Sequence, residues 1–341
     1  MGIARDRVYS SPKERTHKLS ETRVLCTGAS GFIGTNLIDF LLEKNVEVLN
    51  VDKKPPKKQE HEKYWENCNI LEYSKLEGIF KKFRPTHIVH LAARTDILGI
   101  TLEDYSDNTI GTKNVLNAIK ATDSISRVVI TSTQFVHKPG HLPVSDIDFE
   151  PINIYGQSKV IAEQLTREAE LKCIWTIIRP TNIWGAWHPR YPYEFWSILK
   201  KGLYFHPGRQ KVIRCYGYVG NVVHQINKIL EASPEVVNGK VFYVGDLPIN
   251  LLDWTNGFSK AITGKNARVI PQWMVRIMAF GGDLLSKVGI KFPITTSRYL
   301  SMTTDYPTPM LPTIETFGEP PYSLDQGIQA TVQWLIQEGY I

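Results

Sequence analysis

Thr27-Gly28-Ala29-Ser30-Gly31-Phe32-Ile33-Gly34 is the stretch whose reading decides the fold. It follows an apolar run, Arg23–Thr27, without a break, and it opens a helical pattern, Phe32–Lys44. In a strand–turn–helix setting the three glycines act differently. Gly28 permits the tight turn, Gly31 lets backbone approach a pyrophosphate, and Gly34 lets helix and strand pack closely. The phosphates then meet unpaired N–H groups at the positive end of the helix, so Ser30, Phe32 and Ile33 are expected beside a bound dinucleotide. Asp52 ends the next apolar run, where a carboxylate hydrogen-bonds ribose hydroxyls and repels a 2′-phosphate. That favours NAD, while Lys53 and Lys54 keep NADP open. Asn69 and Ile70, closing the third β-unit, offer a polar edge and an apolar face to adenine.

Working outward, Glu47–Val51, Thr86–Leu91, Arg127–Ser132 and Ile174–Ile178 are further near-continuous apolar runs, as expected of parallel strands covered on both faces. Helical spacing recurs over Phe32–Lys44, Tyr73–Phe83, Asn108–Ala121 and Tyr155–Leu171. Alternating units of this kind predict an α/β fold, a Rossmann-type doubly wound parallel sheet with a smaller C-terminal substrate lobe. Residues 1–20 read as a basic tail without fixed structure and 21–185 as the NAD(P)-binding domain. Residues 186–341, punctuated by prolines, read mainly as the substrate lobe, with some segments returning to the sheet. Helices are expected at about 220–232, 251–262, 272–288 and 324–338.

The composition, 42% hydrophobic and 22% charged, is that of an ordinary globular protein. The net charge of +6 is concentrated in the tail and in a loop holding Lys53, Lys54, Lys57 and Lys58, which argues for solvated segments and against a nucleic-acid partner. The N-terminus has no apolar leader, and Trp273–Ile290 is too short and too interrupted (Arg276, Asp283, Lys287) for an integral membrane segment. Cys26, Cys68, Cys173 and Cys215 have no metal spacing and suit a reduced, cytoplasmic protein; His188 and His206 read as ordinary loop histidines.

Tyr155-Gly156-Gln157-Ser158-Lys159 places a phenol and an ammonium on one helix face. A phenol with pKa near 10 is a poor base at neutral pH until a neighbouring cation favours its ionised form. Thr133, after Thr131-Ser132 at the end of the preceding strand, can orient a substrate hydroxyl or carbonyl. Thr133, Tyr155 and Lys159 are therefore the expected catalytic set, with Tyr155 moving the hydroxyl proton as hydride passes to or from the cofactor. Lys159 also holds the nicotinamide ribose.

TGASGFIG (27–34), HLAA (90–93), NTIGT (108–112), TST (131–133), YGQSK (155–159) and RPTNIWG (179–185) together resemble the extended short-chain dehydrogenase/reductases of the NAD-dependent epimerase/dehydratase kind. The likeness covers about 23–230 and resumes at 317–339. It implies a nucleotide-sugar substrate and a homodimer built from the helices holding Asn108–Ala121 and Tyr155–Leu171. It further implies that Leu91, Ala92, Ala93, Thr131 and Pro180 line the cofactor and that Asn108 supports the site near Lys159. Thr95, Gln134, Asn182 and Arg214 are implied at the substrate, Arg214 as the guanidinium that pairs with a phosphate. Tyr204, His206, Arg209, Tyr216 and Tyr218 are further pocket candidates. Asn221 stands where the family has a helix-capping Asp.

The departures narrow the chemistry. Sugar 4,6-dehydratases of this family follow the catalytic hydroxyl with an Asp-Glu pair, and the 3,5-epimerase/reductases carry a cysteine there. This chain has Gln134-Phe135. What remains is hydride and hydroxyl-proton transfer, in a 4-epimerase or a 4-keto-sugar reductase. Pro271-Gln272-Trp273-Met274, the apolar stretch after it and Arg298-Tyr299-Leu300 are similar instead to the 3β-hydroxysteroid dehydrogenase branch, which implies an apolar pocket and an amphipathic membrane-associating helix over Trp273–Val288. A third reading, a regulatory dinucleotide-binding protein without catalysis, is at odds with the intact Thr133–Tyr155–Lys159 set.

Overall fold

The computed structural model describes residues 22–287, 289, 292 and 294–341; the expectation for residues 1–20 lies outside them. The first half of the chain alternates as expected: β1 (Arg23–Thr27), α1 (Phe32–Glu43), β2 (Glu47–Asp52), β3 (Trp65–Asn67), α2 (Tyr73–Phe83), β4 (His87–His90), α3 (Ser106–Lys120), β5 (Arg127–Thr131), α4 (Ile154–Glu168) and β6 (Ile174–Pro180). Then come β7 (Asn182–Trp184), α5 (Ser197–Lys200), β8 (Phe205–Pro207), β9 (Ile213–Arg214), β10 (Tyr216–Tyr218), α6 (Val219–Glu231), α7 (Pro234–Val237) and β11 (Lys240–Val244). The chain ends with β12 (Ile249–Asn250), α8 (Leu251–Thr263), β13 (Arg268–Ile270), α9 (Gln272–Lys287), α10 (Thr296–Thr303), α11 (Leu311–Phe317) and α12 (Leu324–Gln337).

Seven parallel strands form the central sheet in the order β11-β6-β5-β4-β1-β2-β3. The chain runs outward from β1 to β3 and then restarts on the other side at β4. A crevice opens at the carboxyl ends of the strands where the direction reverses, which is where such sheets bind ligands. Leu25, Val89, Val129 and Ile177 are wholly buried, because helices cover both faces. On one face Leu37, Ile38 and Leu41 of α1 pack with Val222, Val223 and Ile226 of α6. On the other, Leu76 and Phe80 of α2 pack with Val115, Leu116 and Ile119 of α3. Four elements from beyond residue 185, α6, α7, β11 and α11, are thus built into the sheet layer.

The remaining C-terminal elements form the lobe, whose strands pair only two by two. Its cohesion comes from an aromatic cluster of Trp184, Trp196, Trp254, Phe258 and Trp334. Rings meet mostly edge to face, as Trp184 and Phe258 do at 5.2 Å. Each large apolar side chain so buried contributes about 2 kcal/mol, far more than a two-residue ladder supplies.

Asn221 does not cap α6, as its position suggested. Its Nδ2 donates to Asp246 Oδ1 (2.8 Å) and to the Tyr322 carbonyl (2.9 Å), while the Tyr218 N–H donates to Asp246 Oδ2 (2.7 Å). Asp246, on the turn after β11, therefore supplies the carboxylate that the family pattern places at 221. Burial pushes its pKa up to about 6.

Candidate active site

A cleft of about 940 Å³ runs over the carboxyl ends of β1, β2, β4, β5 and β6. The glycine-rich turn forms one end. Gly28 has φ +74, and a Cβ there would collide with the Ala92 backbone; at Gly34 it would strike the backbone of Ala29. These two positions bear out the turn and packing roles inferred for them. The Gly28 N–H donates to the Val51 carbonyl at 2.8 Å, locking the turn onto β2. Asp52 completes the lock: its Oδ2 accepts from the Ser30 N–H (3.1 Å) and its Oδ1 from the Lys54 N–H (2.9 Å). Burial pushes this carboxyl up, against the pull of those donors and of Lys54 and Lys53.

Of the residues expected at the cofactor, Gly28, Ser30, Gly31, Phe32, Ile33, Gly34, Asp52, Lys53, Asn69 and Ile70 line this cleft. Leu91, Ala92, Ala93, Thr131 and Pro180 line it as well, as do Thr95 and Asn182 from the substrate set. Lys53, Lys54 and Lys57 are on its wall, so that loop is more than a solvated segment; Lys53 Nζ pairs with Asp107 at 2.6 Å. The Oγ atoms of Thr131, Ser132 and Thr181 and Nδ2 of Asn182 are buried without a protein partner. Unpaired buried polar atoms cost free energy, and a row of them along one groove is what a dinucleotide's hydroxyls and amide would satisfy. The residues fit NAD.

Thr133, Tyr155 and Lys159 converge at the middle of the cleft. Thr133 opens a 3-10 turn, its Oγ1 accepting from the Phe135 N–H at 3.3 Å, and the Tyr155 side chain lines the same cleft. Asn153 caps α4 by accepting from the Gly156 N–H at 2.8 Å, which sets Tyr155 in the first turn. At Gly156 a Cβ would run into the Phe135 carbonyl, so the close approach of α4 to the catalytic strand end needs a glycine. Burial pushes the Tyr155 phenol up to about 12, and burial pulls Lys159 down to about 8 against the attraction of Glu163.

His90 sits beneath the set, its Nδ1 2.7 Å from Thr27 Oγ1 and its Nε2 3.1 Å from Thr112 Oγ1. Burial, and then the Lys159 charge, push its pKa down to about 3, so it is neutral. Burial holds His188 at about 3 and His137 at about 4 as well. A histidine whose folded pKa is depressed adds stability above its unfolded pKa of about 6.5 and loses it as pH falls, by about 1.4 kcal/mol per group per pH unit. Asp246 works the opposite way over the same window, since its raised pKa favours the fold at lower pH. Three histidines outweigh the two raised carboxyls, Asp246 and Asp52, so the melting temperature should drop steadily between pH 7 and pH 5. A flat or rising profile would mean that these imidazoles are charged in the fold.

Asn108 supports the site near Lys159 from behind the cleft, while Gln134 and Arg214 are placed otherwise than expected. Asn108 is wholly buried outside the cleft and acts as a tie: its Oδ1 accepts from the Arg94 N–H (2.8 Å), and its Nδ2 donates to the Arg94 carbonyl (3.0 Å) and to Ser158 Oγ (2.9 Å). It thereby fixes the segment after β4 against α4. Gln134 turns away from the cleft, its Oε1 accepting from Thr308 Oγ1 at 3.1 Å. Arg214 is buried in the lobe, with Nη1 donating to the Thr304 carbonyl (3.0 Å) and its guanidinium over the Tyr306 ring. The pocket candidates scatter too. Tyr204 and Tyr216 line a second, largely apolar cavity of about 420 Å³, His206 is buried beside Tyr204, Arg209 is exposed, and Tyr218 packs on Trp184.

The sequence reading missed the segment 188–191, which forms a wall of the cleft. His188 stacks on Tyr191 at 3.9 Å and meets Phe32 edge-on at 5.0 Å. Its Nδ1 accepts from the N–H groups of Arg190 (3.2 Å) and Tyr191 (2.9 Å), which leaves the ring proton on Nε2. Only an aromatic–imidazole–proline grouping, Trp187-His188-Pro189, marked the site in the sequence.

Residues 24–245, well over half of the chain, match the model of the NAD dependent epimerase/dehydratase family. An Escherichia coli O157:H7 N-acetyl-α-D-glucosaminyl-diphospho-ditrans,octacis-undecaprenol 4-epimerase is 27% identical over 91% of this chain and 94% of its own length. A 3β-hydroxysteroid dehydrogenase of Mycolicibacterium neoaurum is 28% identical over 80% of this chain and 79% of its own. In fold, the UDP-glucose 4-epimerase of Thermotoga maritima superposes with a TM-score of 0.72 at 21% identity, covering 93% of this chain and 99% of that one. With the cleft, the glycine turn and the Thr133–Tyr155–Lys159 set in these positions, the chain belongs to the NAD dependent epimerase/dehydratase family, NAD-using enzymes of the extended short-chain dehydrogenase/reductase type.

Proposed function

We propose that the chain is a sugar C4 epimerase, acting on a hexose linked through a diphosphate, with 4-keto-sugar reduction as the same chemistry stopped halfway. The observation that carries this reading is that, among the described residues, every acid on the cleft wall is already engaged by a cation or by backbone N–H groups. Of the acids on the cleft wall, Asp52 is held by the Ser30 and Lys54 N–H groups, Asp96 by Arg94 and Asp107 by Lys53. Phe135 packs edge-on against Tyr155 at 6.2 Å and Gln134 faces Thr308. With the cleft's acids so engaged, the arrangement favours chemistry at one carbinol.

In that chemistry bound NAD supplies the hydride acceptor and donor. Thr133 Oγ and the Tyr155 hydroxyl, both on the cleft wall, hold the C4 oxygen between them. Tyr155 takes the hydroxyl proton as C4 becomes a ketone and returns it on the way back. Lys159, one turn along α4, favours the ionised phenol, and its own depressed pKa keeps this support sensitive to pH near 8. Inversion requires the 4-keto sugar to present its other face before hydride returns.

The proposed assembly is a homodimer through α3 and α4, whose outer faces carry Ile110, 55% exposed, and the half-buried Val160 and Ile161. The four free cysteines suit the cytoplasm as the proposed compartment. A second reading, oxidation of an apolar 3β-alcohol, is favoured by the 420 Å³ cavity with Phe195, Trp254 and Met278 on its wall.

The test is an assay of purified protein, first without added dinucleotide and then with NAD⁺ or NADH, on UDP-sugars, polyprenyl-diphosphate sugars and a 3β-hydroxysterol. An epimerase interconverts C4 isomers with the dinucleotide it already carries, a reductase needs stoichiometric NADH, and a sterol dehydrogenase needs NAD⁺. Turnover of the sterol alone would overturn the proposal.

A further inference from the structure

Helix α9 is apolar on two faces, and the larger side chains are on the wrong one for a helix that merely packs on its lobe. At about 100° per residue, Trp273, Ile277, Phe280 and Leu284 fall within a sector of about 60°. They are 63%, 64%, 66% and 50% exposed. The opposite sector, which meets the lobe, holds Val275, Met278, Ala279 and Gly282. Gly282 is required there, because a Cβ would collide with the Ile294 carbonyl. The inward contact is thus made by small residues, and the bulky ones are left in water. No helix among the described residues is long and apolar enough to cross a membrane, so α9 does not span one.

The charges around this stripe are of one sign. Arg276 and Lys287 flank one edge of it on the helix surface, both exposed and neither in an ion pair among the described residues. Across the rim of the apolar cavity, exposed Lys200 and Lys201 precede Leu203, which is itself 61% exposed. The acid on α9, Asp283, is turned to the Thr296 N–H at 3.2 Å, and Glu194 nearby is paired with Arg298 at 3.0 Å. Indole and phenyl rings with aliphatic neighbours, edged by free cations on long stems, match the interface of an anionic bilayer, where rings enter the headgroup region and cations meet phosphates.

We infer that α9 docks this protein on an anionic lipid bilayer, seating Trp273, Ile277, Phe280 and Leu284 in the interface while Arg276, Lys287, Lys200 and Lys201 engage lipid phosphates. The docking stands on α9 alone. Its consequence for substrate rests on the function proposed above. The apolar cavity lies under α9, with Met278 and Leu203 on its wall, and it shares Tyr191 with the catalytic cleft. A sugar diphosphate whose other substituent is a long apolar chain can therefore leave the bilayer beneath α9 and reach Tyr155 without crossing water.

The experiment is co-sedimentation of the full chain with vesicles of phosphatidylcholine alone or with 30% phosphatidylglycerol, in about 0.1 M salt. The expected result is binding to the anionic vesicles at least tenfold tighter than to the neutral ones, with a blue shift of tryptophan emission. A Trp273→Ser/Ile277→Ser/Phe280→Ser/Leu284→Ser variant should lose at least tenfold in vesicle binding, and Phe280→Asp alone should lose most of it. Both should keep the wild-type melting temperature and dinucleotide binding. Unchanged vesicle binding by both variants, or equal wild-type binding to the two compositions, would overturn the inference. So would a wild-type oligomer, in the absence of lipid, that the quadruple variant converts to monomer, because the stripe would then cover a second copy. Vesicle binding is read without turnover, so failure of the epimerase assay leaves this result intact, and the reverse also holds.

Discussion

Tyr155→Phe should cut turnover by about a thousandfold or more while dinucleotide binding stays nearly unchanged. The ring does structural work that phenylalanine can continue: it meets Phe135 at 6.2 Å and Tyr105 at 6.0 Å, and it is buried. The lost atom is the hydroxyl alone. Thr133 retains the Phe135 N–H, so no buried group is stranded. What disappears is the hydroxyl that, in the proposed reaction, carries a proton to and from the substrate oxygen. Burial is the main cause that pushes this phenol up to about 12, so a nearby cation such as Lys159 is needed to make it an effective base. Lys159→Met should therefore shift the pH profile upward as well as slow the reaction, which Tyr155→Phe cannot do. A Tyr155→Phe enzyme within tenfold of wild type, assayed on whichever substrate the wild type turns over, would remove Tyr155 from the mechanism.

The parts of this site that could be read in the sequence are those where backbone geometry dictates residue type. Gly28 and Gly34 are written by steric exclusion, β1, β2, β4 and β5 by burial on both faces, and Tyr155 with Lys159 by the pitch of one helix. Side-chain direction is not written that way. Gln134, Asn108 and Arg214 have the positions that the resemblance implied, but each spends its polar atoms on neighbours brought in from distant segments: Thr308, Arg94 with Ser158, and Thr304. The exchange of Asp246 for a carboxylate at 221 is invisible for the same reason, since the partners come from different turns. Nor can periodicity tell which of two apolar faces of α9 is buried. The segment 188–191 needed Phe32, far away in sequence, to become a wall of the cleft.

Glu163→Gln should destabilise the fold by about 3 kcal/mol or more, although it changes one atom and no volume. Glu163 and Arg179 are almost wholly buried, and the guanidinium grips the carboxylate with Nε and Nη2, both at 2.8 Å. Arg179 also donates to the Asp146 carbonyl (2.6 Å) and to the Tyr243 hydroxyl (3.2 Å), which in turn meets His137 at 2.9 Å. The pair therefore joins α4, the helix bearing Tyr155 and Lys159, to β6 and to the loop after the catalytic strand. Glutamine turns one acceptor into a donor facing the guanidinium and leaves a full charge buried without its counterion. Against a total stability of about 5–15 kcal/mol, that is a large fraction. The loss belongs to the stranded charge rather than to the missing attraction, so Glu163→Leu/Arg179→Met, which buries no charge, should recover much of it. The substitution also reaches the chemistry. Glu163 is the group that holds Lys159 up against burial, and in the variant Lys159 should lose its proton at lower pH than in the wild type. Turnover relative to wild type should then be better at pH 6 than at pH 8. A single variant destabilised by less than about 1 kcal/mol, or a double variant less stable than the single, would show that the charge is not buried alone in the way the geometry requires.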